Sequence, residues 1–394
     1  MFNQNTRIQS VLNKIWSVYL LPSPNLLNET QFLSPGNLAQ EPYKICITSF
    51  LARFLRVVGF FVDHKKAVGL SRLMEKNVEI FLPFFNWFNI KSEIRQEVVN
   101  EFKKTLEGYG MTDLRSFHGG YAGQGFLLSR FFMNPGDPRI LKQNIRNMQR
   151  EINLLGELRK VFKIEHPIIY VLHCGRREKG IGREESIQAT VSSIKSVMGD
   201  ALTAGVCISL ENTYSHPGEE EIGTFFGSLK DVLSQIGVEW IERGVLGCTL
   251  DPAHALLTYS GNYDALEKDL AELLPWFVHI HVNHPRTARN KTGELFSEWS
   301  LGDDNHNAPV KIPNRTRYWS LLGKVIANSK ISSWRTITYE VNWAVPILRA
   351  IFGGSPLNEV RVGWEALERF CNHPTERFDV PAIERYIDAE LGKN

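Results

Sequence analysis

The chain has 394 residues, of which 43% are hydrophobic, which is enough for one large folded core or two smaller ones. Its formal net charge of +2 provides no global basic signal for nucleic acid, although a local basic patch is compatible with it. The apolar stretches 16–21 and 50–62 are too short for a secretion signal and a membrane span respectively, so neither is expected.

The five cysteines are odd in number, and four of them fall inside predicted strands. Such residues are typical of small buried thiols rather than of a disulfide framework. We therefore expect a soluble protein of a reducing compartment, the cytoplasm.

Strands and helices are predicted to alternate along most of the chain. Residues 1–43 are polar and rich in Pro and Asn, and we predict that they form an N-terminal extension. Predicted strands follow at 44–50, 78–84, 114–118, 168–174, 206–211, 245–251, 277–283 and 335–341. Predicted helices lie at 92–109, 138–162, 184–201, 219–236, 262–274, 315–329 and 356–371, with a long loop at 285–313.

This alternation implies a parallel sheet, and eight pairs favour a closed α/β barrel, the (β/α)8 TIM barrel, over an open sheet. We predict that the barrel spans residues 44–375 and that a C-terminal helical tail occupies 376–394. No Gly-rich nucleotide-binding fingerprint follows an early strand.

Residues with metal-binding side chains stand near the ends of six predicted strands, where apolar runs such as IIYVLHCG and CISLENT become polar. The nine candidates are His118, His173, Glu211, Asp251, His254, His281, Asp304, His306 and Glu340. Parallel barrels carry their chemistry at the C-terminal ends of the strands, so the pattern predicts a multi-metal site at that mouth. Carboxylate and imidazole ligands suit Zn, Mn or Fe.

Neighbouring strands are about 5 Å apart, so ligands that end adjacent strands can converge on one ion. Four candidates end strands five to eight and predict one ion: Glu211, Asp251, His281 and Glu340. His118 and His173 end strands three and four beside Glu211, which could bridge to a second ion. His254 could join Asp304 and His306 in a third site, because the latter two share the alternating spacing of an extended loop.

Each candidate taken alone has a plainer interpretation. A single carboxylate at a strand end is about as often a helix cap or an ion-pair partner, and a single strand histidine is more often a core residue. His279 and His281 share a strand face, so His279 competes with His281 for the ligand role, and His284 is the next competitor. The joint pattern outweighs these interpretations.

Several motifs resemble those of the endonuclease IV family, also called AP endonuclease family 2, within the xylose isomerase-like barrels. The similar segments are FHGGY at 117–121, LHCG at 172–175, SLENT at 209–213, LDPAHA at 250–255, HVN at 281–283 and DNH at 304–306. The resemblance covers roughly residues 78–341 and occupies every ligand position of the family.

The resemblance implies three zinc ions and hydrolysis of phosphodiesters in abasic DNA. The first ion would be held by His118, His173 and Glu211, and the third by His254, Asp304 and His306. The second would be held by the four ligands of strands five to eight, with Glu211 bridging. Glu211, Glu340 and His281 would be the catalytic residues, and Glu340 would help to orient the nucleophile.

The resemblance also places Tyr121 where the family inserts a tyrosine into DNA. Aromatic residues after strand two, Trp87 among them, could stack on bases or a sugar. Arg176 and Arg286 stand in basic clusters after strands four and seven and could hold phosphate. Packing under the N-terminal extension and solvated loops are the alternatives for these residues.

Two other functions agree with the same residues. A sugar isomerase or epimerase would use one divalent ion on the four ligands of strands five to eight, and would move a proton with Glu211 and Glu340. A barrel acting on a small phosphorylated or glycosylated metabolite is the third alternative. The departures from the family near the predicted ions, such as His284 where an Asp is usual, lie where a substrate is selected.

Overall fold

Eight parallel strands close into a barrel in the computed structural model of the protein. The described residues are 43–48, 78–81, 96, 99–100, 103–104, 107, 113–119, 132–133, 138–177, 180–215, 220–297, 306–334, 336–341 and 356–392. The barrel strands are β1 (Lys44–Thr48), β2 (Val78–Phe81), β3 (Ser116–His118), β5 (Ile168–His173), β7 (Val206–Glu211), β9 (Leu246–Leu250), β10 (Phe277–Val282) and β13 (Thr336–Tyr339). They neighbour one another in chain order, and β1 pairs with both β2 and β13. The predicted (β/α)8 barrel is confirmed.

Helices surround the strands at nearly the predicted places. They are α1 (Pro138–Val161), α2 (Arg183–Lys195), α3 (Met198–Ala204), α4 (Phe226–Ile236), α5 (Val238–Glu242), α6 (Pro252–Thr258), α7 (Tyr263–Leu270), α8 (Arg315–Asn328), α9 (Ile331–Trp334), α10 (Pro356–Asn372) and α11 (Val380–Leu391). A 3₁₀ helix, Ala271–Trp276, ends what was predicted as one helix at 262–274. The predicted helix at 92–109 falls mostly outside the described residues.

Two predicted helices differ from expectation, one by being divided and the other by beginning later. The one at 184–201 is divided into α2 and α3, and α3 ends at Gly205, whose φ of 68° is the left-handed conformation that glycine adopts readily. The one at 219–236 begins only at Phe226, because its first residues form a short strand instead. That strand, β8 (Glu220–Glu221), pairs antiparallel with β6 (Arg176–Arg177), which also pairs with β4 (Phe132–Met133).

The predicted loop at 285–313 contains a β-hairpin, which corrects that prediction. Its strands are β11 (Thr287–Arg289) and β12 (Leu295–Ser297). Asn290 closes the turn, because its side-chain oxygen accepts hydrogen bonds from the Thr292 and Glu294 amides at 3.1 and 2.8 Å. Gly293, with a φ of 83°, supplies the left-handed residue that the turn requires.

The core continues outside the barrel into its C-terminal helices. Trp319 of α8 and Phe370 of α10 are fully buried and pack together with ring centroids 5.2 Å apart. Ile383 and Ile387 of α11 belong to the same apolar core. The predicted division at residues 43 and 375 stays a prediction, although α11 is packed on the barrel helices.

The five cysteines are all buried and unpaired, in agreement with the predicted small thiols. Within the described part of the chain, the helices are too short or too polar to cross a bilayer.

Asp113 links two loops at the N-terminal end of the barrel, opposite the predicted site. Its carboxylate is 3.0 Å from His166 Nε2 and 2.9 Å from Arg115 Nε. Burial alone would raise the pKa of Asp113, but the hydrogen bond from His166 and the charge of Arg115 lower it to about 2.

We expect Asp113→Asn to lower the free energy of unfolding at pH 7 by about 1 kcal/mol, the usual size of one lost hydrogen bond. A carboxyl whose pKa is depressed by folding stabilises the protein above its unfolded value, near 3.9, and loses that contribution as the pH falls. The difference between wild type and variant should therefore shrink between about pH 4 and pH 2. Urea unfolding at several pH values measures this difference in the free energy of unfolding. Equal stabilities of wild type and variant at pH 7 would show that the Asp113 carboxylate does not stabilise the fold.

Candidate metal centre

Three ligand candidates meet where strands β3, β5 and β7 end. The register of β5 and β7 places His173 directly beside Glu211. His118 Nε2 is 3.2 Å and His173 Nε2 is 3.3 Å from Glu211 Oε2. We call His118, His173 and Glu211 the first ligand group; their ligand atoms all lie within 4.8 Å of one another.

The other oxygen of Glu211 faces a different set of residues. Glu211 Oε1 is 3.2 Å from His281 Nδ1, which is itself 3.0 Å from Glu340 Oε2 and 3.9 Å from Asp251 Oδ2. Glu211, Asp251, His281 and Glu340 form the second ligand group, within the same 4.8 Å limit. Glu211 thus belongs to two groups and presents one oxygen to each.

Asp251 is placed for both of the roles that the sequence left open, helix cap and ligand. It is the N-cap of α6, and its Oδ1 accepts a hydrogen bond of 2.8 Å from the His254 amide. Its Oδ2 faces the second ligand group and accepts a hydrogen bond of 2.7 Å from Asn283 Nδ2. Asn212 Oδ1 accepts from the Asp251 backbone amide at 2.7 Å, so one asparagine fixes the Asp251 backbone and the other its carboxylate.

His254 and His306 meet Asp251 on its outer side, with their rings 5.1 Å apart. His254 Nδ1 is 3.0 Å from the Asn212 carbonyl oxygen, so Nδ1 carries the proton and Nε2 is left for an ion. His306 Nε2 is 3.7 Å from Asp251 Oδ2. Asp251, His254 and His306 form the third ligand group. Asp304, the predicted third ligand beside these histidines, lies outside the described residues.

His306 is held in this position because its neighbour Asn307 forms two backbone hydrogen bonds with His284. The His284 amide donates to the Asn307 carbonyl at 3.0 Å, and the Asn307 amide donates to the His284 carbonyl at 2.7 Å. The His284 side chain is buried and donates from Nδ1 to the Pro285 carbonyl at 2.7 Å. Burial lowers the pKa of His284 to about 4, so this ring is neutral. His284 therefore holds the loop that carries His306, and it belongs to none of the close groups of metal-binding atoms among the described residues.

The carboxylates of the ligand groups create a negative potential that favours protons or a cation between them. Burial alone would raise the pKa values of Glu211 and Glu340, yet the neighbouring histidines, chiefly His281 and His173 for Glu211, hold both well below their usual range. Burial disfavours the charged form of His281, but Glu340 and other nearby carboxylates raise its pKa. The carboxylates remain ionised, and the space between them attracts protons or a cation.

A comparison of the whole sequence identifies the family of this barrel. A family model described as a xylose isomerase-like TIM barrel matches residues 77–310, more than half of the chain. The chain belongs to this family. The predicted resemblance is thereby confirmed, while no curated protein matches the sequence.

Solved structures of similar fold include both classes of enzyme foreseen above. A D-psicose 3-epimerase, determined in the presence of D-fructose, is 11% identical with a TM-score of 0.51, covering 84% of this chain and 99% of its own. Endonuclease IV from Thermus thermophilus is 14% identical with a TM-score of 0.43, covering 82% and 99%. A D-tagatose 3-epimerase-like protein is 16% identical with a TM-score of 0.49, also covering 82% and 99%. At 11% identity the likeness to the D-psicose 3-epimerase shows the fold alone.

The ligand groups of this xylose isomerase-like barrel fit divalent metal ions. In the first group the nitrogens lie 3.2 and 3.3 Å from the shared oxygen. A tetrahedral zinc ion with bonds of about 2.0–2.1 Å holds its ligand atoms about 3.4 Å apart. The donors are imidazole nitrogens and carboxylate oxygens, a set that suits Zn, Mn or Fe.

One buried residue of the site was missed by the sequence analysis. Glu79 of β2 is 1% exposed and lies against His279 and His281. These three residues make a further group of close metal-binding atoms. A charged residue inside the short apolar strand VEIF was the available signal, because buried carboxylates are rare unless they are paired.

The predicted substrate contacts are only partly described. Arg176 lies in β6 just beyond His173, with Glu221 of β8 as its backbone partner, and is half-buried. Arg286 is also half-buried and lies just before the hairpin. Tyr121 and Trp87 lie outside the described residues. All four roles stay predictions.

Proposed function

We propose that this protein is a zinc-dependent phosphodiester hydrolase with three metal ions, and that abasic DNA is its leading substrate. The observation that carries the proposal is the division of Glu211 between two ligand groups, Oε2 toward His118 and His173 and Oε1 toward His281. A single-ion enzyme has no need of the two histidines on the Oε2 side. A single-ion enzyme would not need the third ligand group either, which we propose is completed by Asp304.

Zinc ions bound to these groups would acidify water and neutralise the attacking and leaving oxygens of a phosphoryl group. Glu340, the most exposed carboxylate of the second group at 19%, would orient the nucleophile at the mouth of the barrel. Asn212 and Asn283 keep Asp251 aligned, and His284 keeps His306 in reach. Arg176 and Arg286 would position phosphates of the substrate, and Tyr121 and Trp87 would contact the nucleotide. We expect the protein to act in the cytoplasm.

The second candidate is a sugar isomerase or epimerase with one divalent ion. It is favoured by the completeness of the second ligand group, because its four residues are sufficient to hold one ion. Glu211 and Glu340 would then exchange a proton with a substrate carbon.

The test is incision of a duplex with one abasic site, beside nucleotides, sugar phosphates and ketoses, with an intact duplex of the same sequence as control. We expect chelator-sensitive incision of the abasic duplex and near three ions per chain. Affinity for the duplex should fall steeply with salt, because bound phosphates release counterions. An abasic site should be preferred because extruding a nucleotide is easiest where no base is stacked.

Two variants sharpen the test. His173→Asn should abolish a hydrolase that needs the first ligand group but spare a single-ion isomerase. Tyr121→Ala should weaken activity on DNA if this residue enters the helix. One ion per chain, no incision, and deuterium uptake by a ketose in D₂O would replace the hydrolase proposal with the isomerase.

A further inference from the structure

Glu79 joins three barrel strands at the base of the candidate metal centre. Its Oε2 accepts a hydrogen bond of 3.0 Å from His279 Nε2 of β10 and one of 3.1 Å from Thr338 Oγ1 of β13. Its Oε1 is 3.2 Å from His281 Nε2. All four side chains are buried, so no exposed water competes for these contacts.

His281 is the residue through which Glu79 reaches the ligands. The Nδ1 atom of His281 faces Glu340 and Glu211 at 3.0 and 3.2 Å, whereas Nε2 faces Glu79. A neutral imidazole carries one proton, and only the ring nitrogen without it can bind an ion. When Glu211 and Glu340 bind an ion they no longer accept a proton from Nδ1, so the proton moves to Nε2, where Glu79 Oε1 lies 3.2 Å away, and Nδ1 is left for the ion.

We propose that Glu79 is a positioning residue that selects the tautomer and fixes the ring orientation of His281, and thereby increases the affinity of the second ligand group for its ion. His279 and Thr338 orient Glu79 in turn, because both donate to its Oε2 and leave Oε1 for His281. This inference rests on the metal part of the proposed function and is independent of the substrate.

The competing interpretation is that Glu79, His279 and His281 themselves bind a further ion. Their ligand atoms are close enough for one. However, His281 would then have to serve two ions through its two nitrogens. Glu79 Oε2 already accepts hydrogen bonds from His279 and Thr338, so an ion bound through that oxygen would have to displace both.

The experiment compares the wild-type chain with Glu79→Gln, an isosteric change that removes the charge. Zinc affinity is measured by competition with a chromophoric chelator, and the ion count at saturation by elemental analysis. We expect the affinity of one ion to fall about 10- to 100-fold, the usual effect of removing an outer-shell partner, with the ion count unchanged. The visible absorption bands of the Co²⁺-substituted protein should also change, because the ligand orientation of His281 changes.

Glu151→Gln is the matched control. Glu151 is a carboxylate hydrogen-bonded to the buried Tyr170 hydroxyl, outside the ligand groups, and its loss should leave metal affinity unchanged. Thr338→Val removes only one hydrogen bond to Glu79 and should cause a smaller loss of affinity. It keeps the proposal testable if Glu79→Gln does not fold.

Unchanged affinity and an unchanged Co²⁺ spectrum in a folded Glu79→Gln protein would overturn the proposal. Loss of one whole ion from the count would overturn it as well, because Glu79 would then be a ligand. Wild-type protein that binds three ions but hydrolyses no phosphodiester would remove the proposed function and leave this comparison valid.

Discussion

Glu211→Gln should reduce the ion count from near three to near two and lower activity by at least about 100-fold, more than the loss of an outer-shell partner causes. The reason is that the two oxygens of Glu211 face different groups, His118 and His173 on one side and His281 on the other. An amide offers one oxygen and one N–H₂ group, and the latter cannot bind a cation. The ion count by elemental analysis and the rate of incision measure both effects.

The barrel should stay folded in this variant, because glutamine has nearly the same shape and Glu211 lies at the end of a strand whose backbone pairing is intact. Glu151→Gln serves again as the control, because it removes a half-buried carboxylate outside the ligand groups. An ion count that stays near three would show that Glu211 does not bridge two ions. A variant that keeps both its ions and its activity would disprove the assignment altogether.

Removal of the metal ions should lower the melting temperature by about 10 °C or more. An ion present at about 1,000 times its dissociation constant stabilises the folded state by roughly 4 kcal/mol. A change of 1 kcal/mol shifts the melting temperature of a large domain by about 2–4 °C. The carboxylates of Glu211, Asp251 and Glu340 would also repel one another, since their ligand atoms lie within 4.8 Å.

Thermal unfolding followed by circular dichroism before and after dialysis against a chelator measures this effect. Added zinc should restore the original melting temperature, and dialysis against chelator already saturated with zinc is the control. An unchanged melting temperature after verified removal of the metal would show that the ligand groups are held together without ions.

The hydrophobic pattern predicted the barrel well, because strand and helix periodicities are local properties of the chain. The prediction was weaker where side chains determine local structure. The hairpin at β11 and β12 depends on the Asn290 side chain, which caps its own turn. The helix predicted at 184–201 is interrupted at Ser196 and Val197, and neither residue is a Gly or Pro that would have predicted the break.

The candidate ligands were identifiable because polar residues at the ends of apolar strands stand out in the sequence. His279, His281 and His284 could not be separated in this way, since all three lie in or beside one strand. Their roles differ because of what surrounds them: Glu79 pairs with His279, the carboxylates of the second group face His281 Nδ1, and the Pro285 carbonyl occupies His284.

A (β/α)8 barrel with imidazole and carboxylate groups at its mouth could be predicted from the amino-acid sequence, because both follow from local patterning and from the rule that parallel strands end together. The folded chain was needed to see which oxygen of Glu211 faces which histidines, and that Glu79 lies beside His281. Glu79 and His279 are 200 residues apart in the chain. Contacts of that kind depend on strand register and side-chain rotamers around a closed barrel, and neither is encoded in any one segment.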